Sequence, residues 1–129
     1  MTLNHINIAV PVIAEARPLF ESYFGFRCIH DEGDNKIAVL TDQSGFVLTL
    51  SNFEKADAFD YPKAFHIGFG QKSREDVNHL YERLKAGGID AKTPKEFHGA
   101  WTFYLHAPGG FLVEVFYQET RGGQPDFGN

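Results

Sequence analysis

The sequence predicts an α+β fold of two βαβββ modules, whose curved mixed sheets form a cup. Three observations predict it: the chain repeats itself, each half opens with a strictly alternating strand, and a helix-period stretch ending in glycine follows each opening strand. Asn4-His5-Ile6-Asn7-Ile8 resembles Phe65-His66-Ile67-Gly68-Phe69, 61 residues on (His5 to His66). Ser44-Gly45-Phe46-Val47-Leu48-Thr49-Leu50 resembles Gly109-Gly110-Phe111-Leu112-Val113-Glu114-Val115, 65 residues on (Thr49 to Glu114). Two similar halves of this size point to a duplicated supersecondary unit with a few residues inserted in the second copy.

In the first half, Ile6, Ile8 and Val10 share one strand face while His5 and Asn7 share the other. Val12, Ala16, Leu19, Phe20, Tyr23 and Phe24 then keep helical spacing, with Gly25 as the stop and Pro18 expected in the first turn, where a missing N–H costs least. Strands are expected near 27–32, 36–41 and 46–51, and residues 53–63 read as a linker. In the second half, Phe65, Ile67 and Phe69 face one way and His66 and Gly68 the other. Ser73 and Asp76 form a helix-start signal, Val77, Leu80, Tyr81 and Leu84 an apolar stripe, and Gly87-Gly88 the end. Strands near 89–94, 101–106 and 111–117 complete the module, and Arg121 to Asn129 read as a loose end or a docking strap.

At 129 residues and 43% hydrophobic content the chain suits one domain, with module 1 at about 3–53, module 2 at about 64–118 and a tail at 119–129. A net charge of −5 without a Lys/Arg cluster argues against a nucleic-acid partner. No apolar run approaches the roughly 20 residues that span a bilayer. A single cysteine, Cys28, cannot close an internal disulfide and reads as a small strand residue. With no secretory signal at the N-terminus, a cytoplasmic location is expected.

Parity sorts the strands into two faces. Phe46, Leu48 and Leu50, then Trp101, Phe103 and Leu105, then Phe111, Val113 and Val115 form apolar sets suited to packing on helices. The opposite sets, such as Thr102, Tyr104 and His106 or Leu112, Glu114 and Phe116, mix apolar, small and ionisable side chains, which suits a sheet lining a pocket. Glu114 lies within Phe-Leu-Val-Glu-Val-Phe, with no Lys or Arg in the strand to pair with it. A buried carboxylate without a partner costs several kcal/mol. Either Glu114 lies on an edge strand facing water, or it has a ligand. His5 and His66 occupy equivalent places on the two opening strands and face the same way. Two imidazoles and a carboxylate make a 2-His-1-carboxylate set, open to further ligands. Thr49 holds the place equivalent to Glu114 and is a poor ligand.

These residues resemble the vicinal oxygen chelate superfamily, the glyoxalase/dioxygenase-like fold of glyoxalase I, fosfomycin- and bleomycin-resistance proteins and extradiol dioxygenases. The resemblance covers about residues 3–118. It is carried by Asn4 to Val10, Tyr23-Phe24-Gly25-Phe26, Phe65 to Phe69, and Tyr104-Leu105-His106-Ala107-Pro108-Gly109-Gly110-Phe111-Leu112-Val113-Glu114-Val115. It implies metal ligation by His5, His66 and Glu114, a homodimer, and a small substrate that chelates the metal through oxygens. Tyr104, ten residues before Glu114, matches the tyrosine of extradiol dioxygenases and fosfomycin-resistance proteins. Thr49 departs from the glutamate of glyoxalase I. Ser51-Asn52 stands where the dioxygenases carry an acid–base histidine, and Asn7 where fosfomycin-resistance proteins carry a threonine.

Tyr104 is the candidate catalytic residue, as hydrogen-bond donor or acid–base group, against a plain reading as a half-buried strand aromatic. Asn7, Thr49, His98 and His106 are candidate substrate contacts; His98 reads as part of a mobile loop, and His30 and His79 as surface residues. The expected function is that of a metal-dependent enzyme (lyase, isomerase, thiol transferase or dioxygenase) with one divalent Fe, Mn, Ni, Zn or Co per site. The alternatives are a non-catalytic binding protein of the bleomycin-resistance type and a structural dimer module with vestigial ligands.

Overall fold

A computed structural model of the chain describes residues 1–121 and 124–125. The chain forms two compact units, one of Met1–Tyr61 with Ala107–Gly110, the other of Pro62–His106 with Phe111–Asn129. Among the described residues no helix is long and apolar enough to cross a membrane.

The first unit holds β1 (His5–Ala9), α1 (Ile13–Tyr23), β2 (Arg27–Asp31), β3 (Ile37–Thr41) and β4 (Val47–Ser51). Its sheet runs β1-β4-β3-β2, with β1 parallel to β4 and the other pairs antiparallel. The alternating apolar face meets α1: Ile8, Leu40, Leu48 and Leu50 on the sheet, and Ala16 and Phe20 on the helix, are all at most 2% exposed. Each buried Leu, Ile or Phe contributes roughly 1.5–3 kcal/mol of transfer free energy. No side chain of the preceding residue caps α1, but Asn35, itself at φ 55°, accepts the Ile13 N–H at 2.7 Å and donates to the Pro11 carbonyl. The helix closes at Gly25 (φ 75°), as expected, with Phe26 N–H reaching back six residues to the Phe20 carbonyl at 3.3 Å. Pro18 corrects the sequence reading. The helix begins at Ile13, so Pro18 stands in its interior on an exposed face, where the bond to the Ala14 carbonyl is forgone. Arg17 bridges that face to Glu21 (2.9 Å) and to Asp31 on β2 (2.7 Å).

The second unit repeats the plan with β5 (His66–Gly70), α2 (Arg74–Ala86), β6 (Lys95–Phe97), β7 (Ala100–His106) and β8 (Leu112–Gln118), in the order β5-β8-β7-β6 with β5 parallel to β8. Ser73 caps α2 by accepting the Asp76 N–H at 3.1 Å, and Arg83 and Lys85 sit in the last turn, where the helix dipole favours cations. Val77, Leu80 and Leu84 are buried with Phe103, Val113 and Val115; Tyr81 meets Phe103 edge-on at 5.6 Å. The strand expected at 89–94 is not formed. Ile89 and Ala91 mimic alternation, but Pro94 has no N–H to offer a ladder; Lys92 N–H bonds the Tyr104 carbonyl (2.9 Å) and pairing with β7 resumes only at Lys95. A two-residue ladder, β9 (Thr120–Arg121) with β10 (Gln124–Pro125), follows β8. Residues 122–123 and 126–129, on which most of the expected loose end or strap falls, lie outside the described residues.

Candidate metal centre

Register builds the open face of the second sheet row by row. His66, Leu112 and His106 are cross-strand neighbours; so are Gly68, Glu114 and Tyr104, and then Gly70, Phe116 and Thr102. Cross-strand neighbours share a face, so these side chains all lie on the side away from α2. Glu114 is therefore on an interior strand between β5 and β7, which overturns its reading as an edge-strand residue. Its side chain is 18% exposed.

What keeps a carboxylate there is a set of partners that the strand itself lacks. Tyr104 Oη donates to Glu114 Oε2 at 3.0 Å. Thr102 Oγ1, on a residue with no exposure, lies 2.9 Å from the same oxygen and 3.0 Å from the Val115 carbonyl, so its one proton serves one acceptor at a time. Glu114 Oε1 is left to face His66 Nε2 at 3.5 Å. His66 Nδ1 lies 2.8 Å from the Ala64 carbonyl, which can only accept, so Nδ1 carries the proton and Nε2 presents a lone pair. Burial pushes the Tyr104 phenol up to about 12, reinforced by the hydrogen bond to Glu114 and by that carboxylate's charge, and opposed by Thr102. Tyr104 thus keeps its proton at neutral pH and acts as a donor. Gly68 leaves the space beside the carboxylate open: a Cβ there would come within 3.6 Å of Glu114 Oε1 and 3.3 Å of the Phe116 ring.

His5 opens β1 in the first unit. Its Nδ1 lies 2.7 Å from Asn4 Oδ1, which fixes the same tautomer as in His66 and leaves Nε2 free. Across the first sheet, Asn7 pairs with Thr49 and Thr49 with Val39. Asn7 accepts from Ser51 Oγ at 2.6 Å, and Thr49 is only 8% exposed. The structure thus brings His66, Glu114 and Tyr104 together in one unit and places His5, Asn7 and Thr49 on the other. Among the described residues no three His, Cys, Asp or Glu side chains form a ready-made metal cluster. The donors fit a divalent ion in kind: neutral imidazole nitrogens with anchored Nδ1 atoms, and a carboxylate with one oxygen held and one free.

His98, expected on a mobile loop, sits in the tight two-residue β6–β7 turn, at φ 50° before Gly99, with its ring 4.0 Å from the Phe97 ring. His106 ends β7, exposed, beside a groove of about 400 Å³. Thr102 and Gly68 were not singled out as site residues in the sequence. Thr102 shares parity with Tyr104, and that was the available signal; its contact with Glu114 needs the β7–β8 register as well.

Residues 2–115 match the family model described as Glyoxalase/Bleomycin resistance protein/Dioxygenase superfamily. A possible glyoxalase from Bacillus cereus is similar at 43% identity, with 89% of this chain and 97% of that chain covered and a TM-score of 0.78. The fosfomycin resistance protein FosX from Listeria monocytogenes, complexed with Mn(II) and sulfate ion, shares 19% identity over 92% of this chain and 90% of its own (TM-score 0.74). Lactoylglutathione lyase from Agrobacterium tumefaciens shares 15% over 90% and 92% (TM-score 0.73). The last two likenesses are of fold alone. No curated protein matches the chain.

Proposed function

We propose that this chain, which belongs to the glyoxalase/bleomycin resistance protein/dioxygenase superfamily, is a metal-dependent enzyme whose small substrate chelates a divalent ion through two oxygens. The observation that carries the reading is the Glu114 carboxylate, held at Oε2 by two hydroxyls and free at Oε1 beside His66 Nε2. His66 and Glu114 are the ligands from the second unit. His5 is the third, from the same chain or from the second copy in a homodimer. A divalent ion bound there supplies Lewis acidity, stabilising negative charge that develops on a substrate oxygen.

The chain's own residues do the rest. The Ala64 carbonyl and Asn4 side chain fix the imidazole tautomers. Thr102 and Tyr104 fix the carboxylate rotamer, so no reorganisation is needed when a ligand arrives. Tyr104 holds a proton within reach of any oxygen placed next to Glu114.

The test is metal content and Mn(II) titration of protein purified without chelator. About one ion per chain is expected, with affinity falling by more than about a hundredfold in His66→Ala, Glu114→Ala and His5→Ala, since each removes one of only three protein ligands. Mixing His5→Ala with Glu114→Ala protein restores part of the binding if the ligands are shared between copies, and none if they come from one chain. Wild-type protein that takes up no metal yet binds aromatic molecules tightly would replace this reading with a sequestering one.

A further inference from the structure

Beside the His66–Glu114 pair, the second unit has a groove of about 400 Å³ that the metal reading does not use. The volume suits a small organic molecule. Its position follows from register. Leu112 and Tyr104, which form part of its wall, are the direct strand neighbours of His66 and Glu114 respectively. The groove exists because β6 covers β7 only up to Thr102. Past that point the β7 edge is met by the 89–92 segment through a single bond, Lys92 N–H to Tyr104 O.

Charge decides what the groove would take. Asp90, Lys92 and His106 are its ionisable wall residues besides Tyr104. Asp90 points out to solvent with a fully exposed side chain and has Lys85 Nζ at 3.9 Å, so its charge is partly answered from outside the groove. Lys92 forms no ion pair among the described residues, and His106 adds a second nitrogen donor or acceptor at the rim. Lys92 is exposed, and a cation without an ion pair on a wall that also holds apolar Ala91 and Leu112 suits a short hydrocarbon segment ending in an anion.

Resting on the metal reading above, we infer that this groove is the substrate's second attachment point: it receives an anionic substituent, a carboxylate, phosphonate or sulfonate, carried by the chelating molecule and bound by Lys92 with His106 at its side. The enzyme's substrate is then a small oxygen chelator with a negatively charged arm.

Two hydroxamates that chelate through the same pair of oxygens make the test: neutral acetohydroxamate and succinohydroxamate, which adds a carboxylate arm. With Mn(II)-loaded wild-type protein the charged probe is expected to bind roughly tenfold more tightly, the scale of one charge-assisted contact. The ratio of the two affinities should fall close to one in Lys92→Gln and below one in Lys92→Glu. A ratio near one in the wild type, or a ratio that survives both substitutions, overturns the inference. Independently of metal, succinate titrated into ¹⁵N-labelled metal-free protein should shift the Ala91, Lys92 and His106 amides, and not in Lys92→Glu. Shifts there without any hydroxamate binding would sink the metal reading while leaving the anion subsite standing; their absence sinks the subsite.

Discussion

The two sheets share strand order and register, and each carries a histidine at the start of its parallel edge strand, yet only one can hold a carboxylate. Corresponding positions on the open faces show why. Where the second sheet has Glu114, Tyr104, Thr102, Gly68 and Phe116, the first has Thr49, Val39, Ile37, Asn7 and Ser51. The carboxylate belongs to a group of substitutions that stand or fall together. Two hydroxyls on the neighbouring strand stabilise it, and a glycine on the other side leaves it room. The first sheet offers two aliphatic side chains there, and its polar pair, Asn7 and Ser51, is already bonded to itself.

Grafting the acid alone should therefore fail. Thr49→Glu is expected to destabilise the protein by about 3 kcal/mol, because it buries a charge without donors from β3. Urea unfolding measures this, and a loss below about 1 kcal/mol would show that the donors on β7 matter less than argued. Thr49→Gln, which carries no charge, should cost clearly less. The reverse experiment removes support from the second sheet: Thr102→Val should weaken Mn(II) binding about tenfold or more, with Thr102→Ser restoring most of it, as for other groups that orient a metal ligand. Little loss in Thr102→Val, with the loss appearing instead in Thr102→Ser, would mean that Thr102 serves packing only.

A smaller effect concerns alkaline pH. The Tyr104 phenol is raised from 10.0 to about 12, so it favours folding below pH 10, and that contribution fades as pH rises through about 12. Ultraviolet titration should find a late tyrosine, and Glu114→Gln should bring it earlier, though not to the ordinary value, since burial is the larger cause. The smallest expected effect separates the equivalent loops of the two sheets. In the β3–β4 loop, burial pushes the Asp42 carboxyl up, but hydrogen bonds from Ser44, Phe46 and Gly45 outweigh it and hold it below the usual range. That stabilisation is present above pH ~3.9 and is lost as pH falls through the depressed value. Ala107 stands at the equivalent place before β8 and contributes nothing of the kind. Asp42→Asn should cost about 1 kcal/mol at pH 7 and less at pH 2.5, read from urea midpoints.

Much of this was legible in the chain. Period-two parity put His5 and Asn7 on one face and Glu114, Tyr104 and His106 on another, because alternation needs no knowledge of partners. The duplication exposed Thr49 as the odd residue. Three things were not legible. Thr102 could not be linked to Glu114 without the β7–β8 register, which the five-residue loop 107–111 leaves free by a step. Pro18 looked like a first-turn residue because the cap of α1 comes from Asn35, a distant side chain with no local signature. The strand expected at 89–94 was displaced because Ile89 and Ala91 alternate without a neighbour to pair with until β6.

Gly68 and Gly70 flank the ring of Phe116, at 3.3 and 3.5 Å from where side chains would begin. That crowding imposes a direction on change. Asn7 and Ala9 hold the matching places in the other copy, so an aromatic ring at position 51 becomes tolerable only after both have been trimmed, and an acid at position 49 only after hydroxyls arrive at 39 and 37. Each later step is harmful without the earlier ones. Two halves that began alike are thereby kept from drifting back into each other's roles, and a single replacement in either leaves its neighbours mismatched.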